Sequence, residues 1–402
     1  MPAGFLKCRL LSPWRAALRY EPVYFSPVAR RSLAATRLWP ALALAATSML
    51  ASLALLGSGP ETPAAERALG GLIRDLSEPG GYFDTDNLIS NETSYLQAAD
   101  QLEDEGPRGG LYLGVGPDQS FSYMARLRPD WAFILDVRRD NMLQHLYLNA
   151  LLARSPDPYR YLCGLLSRPC GDPPDAARAG IEGTLAALER VPPLESELRR
   201  NLERSLDYIE GVLGVPLDTR DRHALREMAG AFFEQQLGLR FRSHGRPPMP
   251  HHPTLRSLLL ARSPSGRFGC FLDSRRDYDT VRKLALGGRI VPVVGNFAGD
   301  RALRAVGDHA RRLGQPVSAF YVSNVEFYLL RDGTFPAFVE NVRALPLTDD
   351  ALFIRAYFDY GRRHPARLPG HRSTTVVQSI RGFLEGHDGG RFQSHWDVAT
   401  AE

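Results

Sequence analysis

Gly114, Gly116 and Asp136 have the residue types and spacing to hold a nucleoside. The two glycines break a short apolar run, LYL at 111–113. Glycine where a chain turns over a strand end removes the side chain, so a ligand can approach the backbone closely. A helical pattern follows, with Phe121, Met124, Ala125 and Leu127 on one face. The first turn of such a helix carries unpaired N–H groups, and these point at the same place. Asp136 closes the next apolar run, WAFIL at 131–135, about twenty residues further on. There a carboxylate can accept hydrogen bonds from both hydroxyls of a ribose. Glycines also occur in many strand-to-helix turns for the turn alone.

Positioning these residues requires a parallel βαβ unit, with ligands at the carboxyl ends of its strands. A dinucleotide site would want a third glycine, but Gln119 stands there, preceded by Asp118. This weighs against nicotinamide chemistry. Gly-x-Gly with polar residues behind it and an acid after the second strand resembles the first two motifs of class I S-adenosylmethionine-dependent methyltransferases. The resemblance continues through RIVPVVGN at 289–296, a third strand, and VSAFYVSNVEFYL at 317–329, a fourth strand with Ser323 and Asn324 at its end. A helix at 335–345 and a fifth strand at 351–358 follow, then a late strand and helix at 373–384. The resemblance covers roughly 109–149 and 287–358. It implies an α/β, Rossmann-like, three-layer sandwich that binds S-adenosylmethionine.

What the resemblance implies for single residues is specific. Gly114, Gly116, Asp118 and Asp136 would hold the cofactor, with Asn296 beside the adenine. Tyr95 and Glu92, in a polar, aromatic segment running into the first strand, would form a flap over the methionine end. Asn324 would lie beside the sulfonium or the acceptor, with Glu326 as a possible base. The residues alone also allow plainer roles. Ser90 or Asn91 can cap a helix through Tyr95 and Leu102, Asn324 can cap the helix after the fourth strand, and Glu326 suits that helix's first turn. His145 reads as a core or edge histidine.

Residues 155–275 interrupt the α/β pattern. Leu194, Leu198, Leu202, Leu206, Ile209 and Leu213 form a stripe at helical spacing, and 221–237 repeats it behind a cap at Asp218 or Thr219. This predicts a helical insertion, a lid or an interaction module. His244, His251 and His252 sit in a proline-rich loop without the i, i+4 spacing of zinc sites, and Asp84 and Asp86 lack the calcium-loop pattern. No metal is expected. Cys163 and Cys170 are close enough in sequence to pair, leaving Cys270 free.

The chain divides into a basic leader (1–37), a signal or membrane segment (38–59), a linker and flap (60–108), the two halves of the α/β domain (109–154 and 276–385) around the insertion, and a peripheral tail (386–402). The segment 38–56 is uncharged and almost wholly apolar, follows Arg30, Arg31 and Arg37, and precedes small residues. That is the order of an export signal or signal anchor, which leaves the body outside the cytoplasm, in the periplasm or anchored to the inner membrane. Arg30-Arg31 also resembles a twin-arginine signal. Nearly all basic residues are arginine, the exceptions being Lys7 and Lys283, and a net charge of +4 with interleaved acids leaves no nucleic-acid footprint. Two functions follow: methyl transfer from S-adenosylmethionine to a small molecule or envelope component, or an exported, non-catalytic nucleoside- or metabolite-binding protein on the same scaffold. The acceptor and the oligomeric state are not legible.

Overall fold

The apolar runs of the first half become adjacent parallel strands. The computed structural model describes residues 69–359 and 361–401. Within them β1 is Leu111–Gly114, β2 Trp131–Asp136, β3 Ile290–Val294, β4 Val317–Ser323, β5 Leu347–Phe358 and β6 Ser373–Ser379. One mixed sheet has the order β3-β2-β1-β4-β5-β6, parallel throughout except that β6 runs antiparallel to β5. β1 and β3 are buried along their whole length, and β2 beyond its first residue. Continuous burial explains why these strands read as unbroken apolar runs and not as alternation. Pro292 is tolerated in β3 because β3 is an edge strand with one neighbour.

Helices cover both faces, giving a mixed α/β architecture compatible with three layers. The helix Gln119–Leu127 returns the chain from β1 to β2 and stops at Arg128, whose φ of 49° ends the helix while its N–H still reaches the Met124 carbonyl. The helix Arg139–Arg154 is buried nearly all round. It packs on β2 and β3 on one side and on insertion helices on the other. The chain runs outward from β1 through β2 to β3, then returns to lay β4 against the other side of β1. That reversal opens a crevice between the carboxyl ends of β1 and β4, the usual ligand position in such sheets.

Between β2 and β3 lie the helices Pro158–Leu165, Ile181–Glu189, Glu195–Gly211, Thr219–Gln235 and Leu255–Leu259. Of the leucine stripe, Ile209 and Leu213 are buried, Leu198, Leu202 and Leu206 are half-buried, and Leu194 is exposed. Asp218 caps Thr219–Gln235 in a reciprocal capping box with Asp221. Asp221 also takes both bonds of the Arg139 guanidinium at 2.7 Å, tying the insertion to the sheet layer. Cys163 and Cys170 form a disulfide, and Cys270 is free and buried.

Three local expectations are revised. The helix expected through Tyr95 begins only at Ala99, without a side-chain cap, and Ser90 instead accepts from the Glu92 N–H in a turn. The apolar run 317–329 is not one strand, because β4 ends at Ser323 and Val325–Arg331 is already helical. The tail is not peripheral. His395–Ala399 is a helix whose His395 ring stacks on Tyr357 at 5.5 Å and whose Val398 is buried. The leader, the apolar segment 38–56 and the twin-arginine pair lie outside the described residues. Among the described residues no helix is long and apolar enough to cross a membrane.

Candidate functional site

A cleft of about 710 Å³ occupies the crevice at the strand ends. Its floor is made by Gly116, Asp136, Asn296, Tyr321, Ser323 and Asn324, which follow or end β1, β2, β3 and β4. One wall is the segment 82–92 and another is the loop 241–252 of the insertion. The first wall is pinned in place. Leu88 and Ile89 are buried, Gln144 donates to the Leu88 carbonyl, and Arg138 donates to the carbonyls of Thr85 and Asp86. Arg242 and Arg246 of the second wall pair with Asp86 and Asp84. Those two acids are therefore tied to arginines. Among the described residues no group of three His, Cys, Asp or Glu side chains could hold a metal ion.

The glycine turn is built for two different reasons. Gly116 has φ of 75°, a left-handed conformation that favours glycine, and it borders the cleft. Its carbonyl is held by Asn141 Nδ2 at 2.9 Å and His145 Nε2 at 2.8 Å. Burial pushes His145 down to about 4, so the ring is neutral and donates from Nε2. Gly114 is away from the cleft. A Cβ there would meet the Tyr112 ring at 2.8 Å and Ser120 Oγ at 3.0 Å, so its glycine serves packing within the chain.

Asp136 reaches the cleft already neutralised. Arg138 donates to its Oδ1 from Nε at 3.0 Å and to its Oδ2 from Nη2 at 2.7 Å, and both side chains are buried. Asn296 lies at the end of β3 with its Oδ1 accepting from the Ala298 N–H at 2.9 Å, an Asx turn. Asn324 stands at the head of Val325–Arg331, yet its side chain makes no capping bond and borders the cleft instead. Tyr95, Asp118 and Glu326 do not border it. Tyr95 is core: its hydroxyl donates to the Leu258 carbonyl at 2.8 Å. Asp118 is half-buried beside the helix start, and burial raises its carboxyl to about 6. Glu326 turns toward β5, where Arg355 pairs with it at 2.7 and 3.2 Å, both residues fully buried. A carboxylate bound that way is a structural partner and not a free base.

The acid poised at the site is Glu92. It is buried, and its Oε1 accepts from Tyr321 Oη at 2.7 Å and from Ser323 Oγ. Gln119 Nε2 donates in turn to Tyr321 Oη. Its Oε2 is buried without a hydrogen-bond partner. Among the described residues no guanidinium pairs with it, so burial dominates over the hydroxyl and amide donors and raises the carboxyl from 4.5 to about 7. Ser323 is held at φ of 52°, a conformation a non-glycine residue adopts at a cost of roughly 1 kcal/mol or more. The arrangement can take up or release a proton near neutral pH, at the point where β1 and β4 part.

Sequence reasoning had placed Glu92 in the flap, but it missed Gln119 as a bonding group, as well as Tyr321, Ser323 and Arg138. Arg138, two residues after an acid at a strand end, was a usable signal. The left-handed Ser323 left none. The model of a family described as a domain of unknown function (DUF7790) matches residues 87–168 and 253–386. No curated protein matches the chain. Glu92, Gly116, Gln119, Asp136 and the β4 end all fall inside the matched segments, whereas the loop 241–252 and most of the insertion fall between them. The two segments together take in more than half of the sequence, and the chain belongs to that family of unknown function.

Proposed function

We propose that the crevice binds a nucleoside-bearing ligand and that the protein is methyltransferase-like, transferring the methyl group of S-adenosylmethionine to a small molecule or envelope component. The observation that carries this reading is the convergence of the Gly116 turn, Asp136, Asn296 and Ser323-Asn324 on one cleft at the switch point of a sheet ordered β3-β2-β1-β4-β5. That order is shared by Rossmann-like nucleotide-binding sheets in general. The volume suits a ligand of that size. Methyl transfer from a sulfonium needs positioning and desolvation above all, since the leaving group is already present. Glu92, in place of Glu326, is the carboxylate able to accept a proton from the methyl acceptor, with Asn324 beside it at the β4 end. Arg138 makes three bonds to Asp136, from its N–H and Nε to Oδ1 and from Nη2 to Oδ2, so a ribose hydroxyl finds its open acceptor position at Oδ2.

A second reading rests on the disulfide. Cys163–Cys170 suits an oxidising compartment, as does the apolar segment 38–56, and S-adenosylmethionine is a cytosolic metabolite. The same cleft would then serve an exported nucleoside- or metabolite-binding protein without catalysis, periplasmic or held at the inner membrane. Titration calorimetry of the full chain with S-adenosylmethionine and S-adenosylhomocysteine tests both. Asp136→Asn, which keeps the shape and one acceptor for Arg138, serves as control. Micromolar binding weakened about tenfold or more in the variant, a loss of roughly 1.4 kcal/mol, is expected. Production of S-adenosylhomocysteine with an acceptor mixture separates enzyme from binder. No binding of either compound by folded protein removes the methyltransferase reading.

A further inference from the structure

A second cleft, of about 430 Å³, lies in the helical insertion, away from the strand ends. It is bordered by the end of Arg139–Arg154, by Pro158–Leu165, by the disulfide loop and by one face of Glu195–Gly211. Five arginines line it, Arg154, Arg160, Arg168, Arg200 and Arg204, against one acid, Glu197. In an arginine-rich chain a run of arginines on a surface is unremarkable, and most of them here meet an acid. Two of these five do so as well. Arg160 pairs with Asp157 and Asp172, and Arg200 with Glu197 at 2.9 Å.

The other three differ. Arg154 donates from Nε to the Ala150 carbonyl and from Nη2 to Asn201 O and Ser205 Oγ, all neutral. Arg168 is buried and donates to Gln236 Oε1 and to the carbonyls of Leu188 and Val191, again neutral. Arg204 is exposed and makes no ion pair among the described residues. These bonds leave Arg154 Nη1 and Arg168 Nη2 without a partner among the described residues. Sinking a guanidinium against neutral acceptors leaves its charge uncompensated. Burial accordingly lowers both Arg154 and Arg168, and Arg204 lowers Arg154 further by repulsion. The disulfide closes the loop that carries Arg168, with the Arg168 N–H bonded to Cys163 O and its carbonyl to Cys170 N, so this guanidinium is held in place.

We propose that this cleft is an anion site for a phosphate or diphosphate group, held by Arg154, Arg168 and Arg204. Planar guanidiniums bind tetrahedral oxyanions through paired N–H bonds, and three guanidiniums that make no ion pair among the described residues favour a multiply charged group over a single carboxylate. Arg168 ends the first segment of the family match, and Arg200 and Arg204 lie outside it, so the site belongs to this chain's insertion and is independent of the nucleoside reading. A free phosphate and an anionic lipid both carry such a group, and the chemistry is shared.

The full, oxidised chain is titrated with inorganic pyrophosphate and orthophosphate at low salt. It is also floated with phosphatidylcholine vesicles with and without phosphatidic acid. Saturable pyrophosphate binding is expected, weakened about tenfold or more by Arg204→Glu, an exposed change that leaves the fold intact, and by Arg154→Gln. Arg246→Ala, in the other cleft, should leave it unchanged. A lipid source adds flotation that requires phosphatidic acid and is competed by pyrophosphate. The proposal is overturned if neither probe saturates the folded protein, if both cleft variants bind as the wild type does, or if Arg246→Ala abolishes binding equally.

Discussion

The acids around the carboxyl ends of β2 and β4 are handled in opposite ways. Asp136 at β2 is bonded twice by the Arg138 guanidinium and once by the Arg138 N–H, and Glu326, just past β4, is bonded twice by Arg355. Glu92, which meets the end of β4 from the flap, faces only hydroxyl and amide donors and keeps one oxygen unpartnered. A buried carboxylate locked to a guanidinium is a bracket, costly to disturb. One surrounded by neutral donors stays close to its titration point and can exchange a proton. Burial alone does not separate the two classes; the sign of the neighbour does.

The largest way to break that contrast is to remove a guanidinium. Arg355→Met leaves Glu326 buried without its partner, and should cost about 3–5 kcal/mol in urea unfolding at pH 8. Adding Glu326→Gln should restore most of it. If Arg355→Met is mild, the pair is not the bracket described. Glu92→Gln should act in the other direction. The folded carboxyl sits at about 7 against an ordinary 4.5. Wild-type stability tied to this group is therefore full below pH 4.5 and is lost as pH rises toward 7. The variant should gain up to about 3 kcal/mol relative to wild type at pH 8 and nothing at pH 4. A loss at pH 8 in place of the gain would mean that a charge partner faces Glu92 after all. The smallest effect sharpens the glycine turn. Gly116→Ala should cost about 1 kcal/mol, for the backbone conformation alone. Thermal unfolding measures it.

Much of the fold was legible because the strands that carry the site are buried on both faces. LYL and WAFIL read as strands from their apolar runs and IVPVV through the family resemblance, and Gly-x-Gly and Asp136 mark where the first two end. The direction in which a polar side chain points was not legible. Glu326 has the right position in its helix for a base, but the helix turns it onto β5 toward an arginine 29 residues away. Tyr95 lies in the right segment, yet its hydroxyl is spent on Leu258, 163 residues on. Gln119 registers in sequence only as a missing glycine, and its bond to Tyr321 depends on β4 lying beside β1. Long-range partners of this kind leave no local pattern. The disulfide was readable because both cysteines lie within one short loop.

The helix His395–Ala399 has a consequence for how the chain answers to proteolysis. His395 stacks on Tyr357 of β5, and the Ala399 carbonyl meets His364 Nε2 at 3.1 Å. The helix thus covers a strand some forty residues before it in sequence. A protease that cuts at the exposed turn Gly389–Arg391 would leave the whole cleft and both of its walls in one fragment, yet lift the cover from Tyr357 and expose apolar surface at that end of β5.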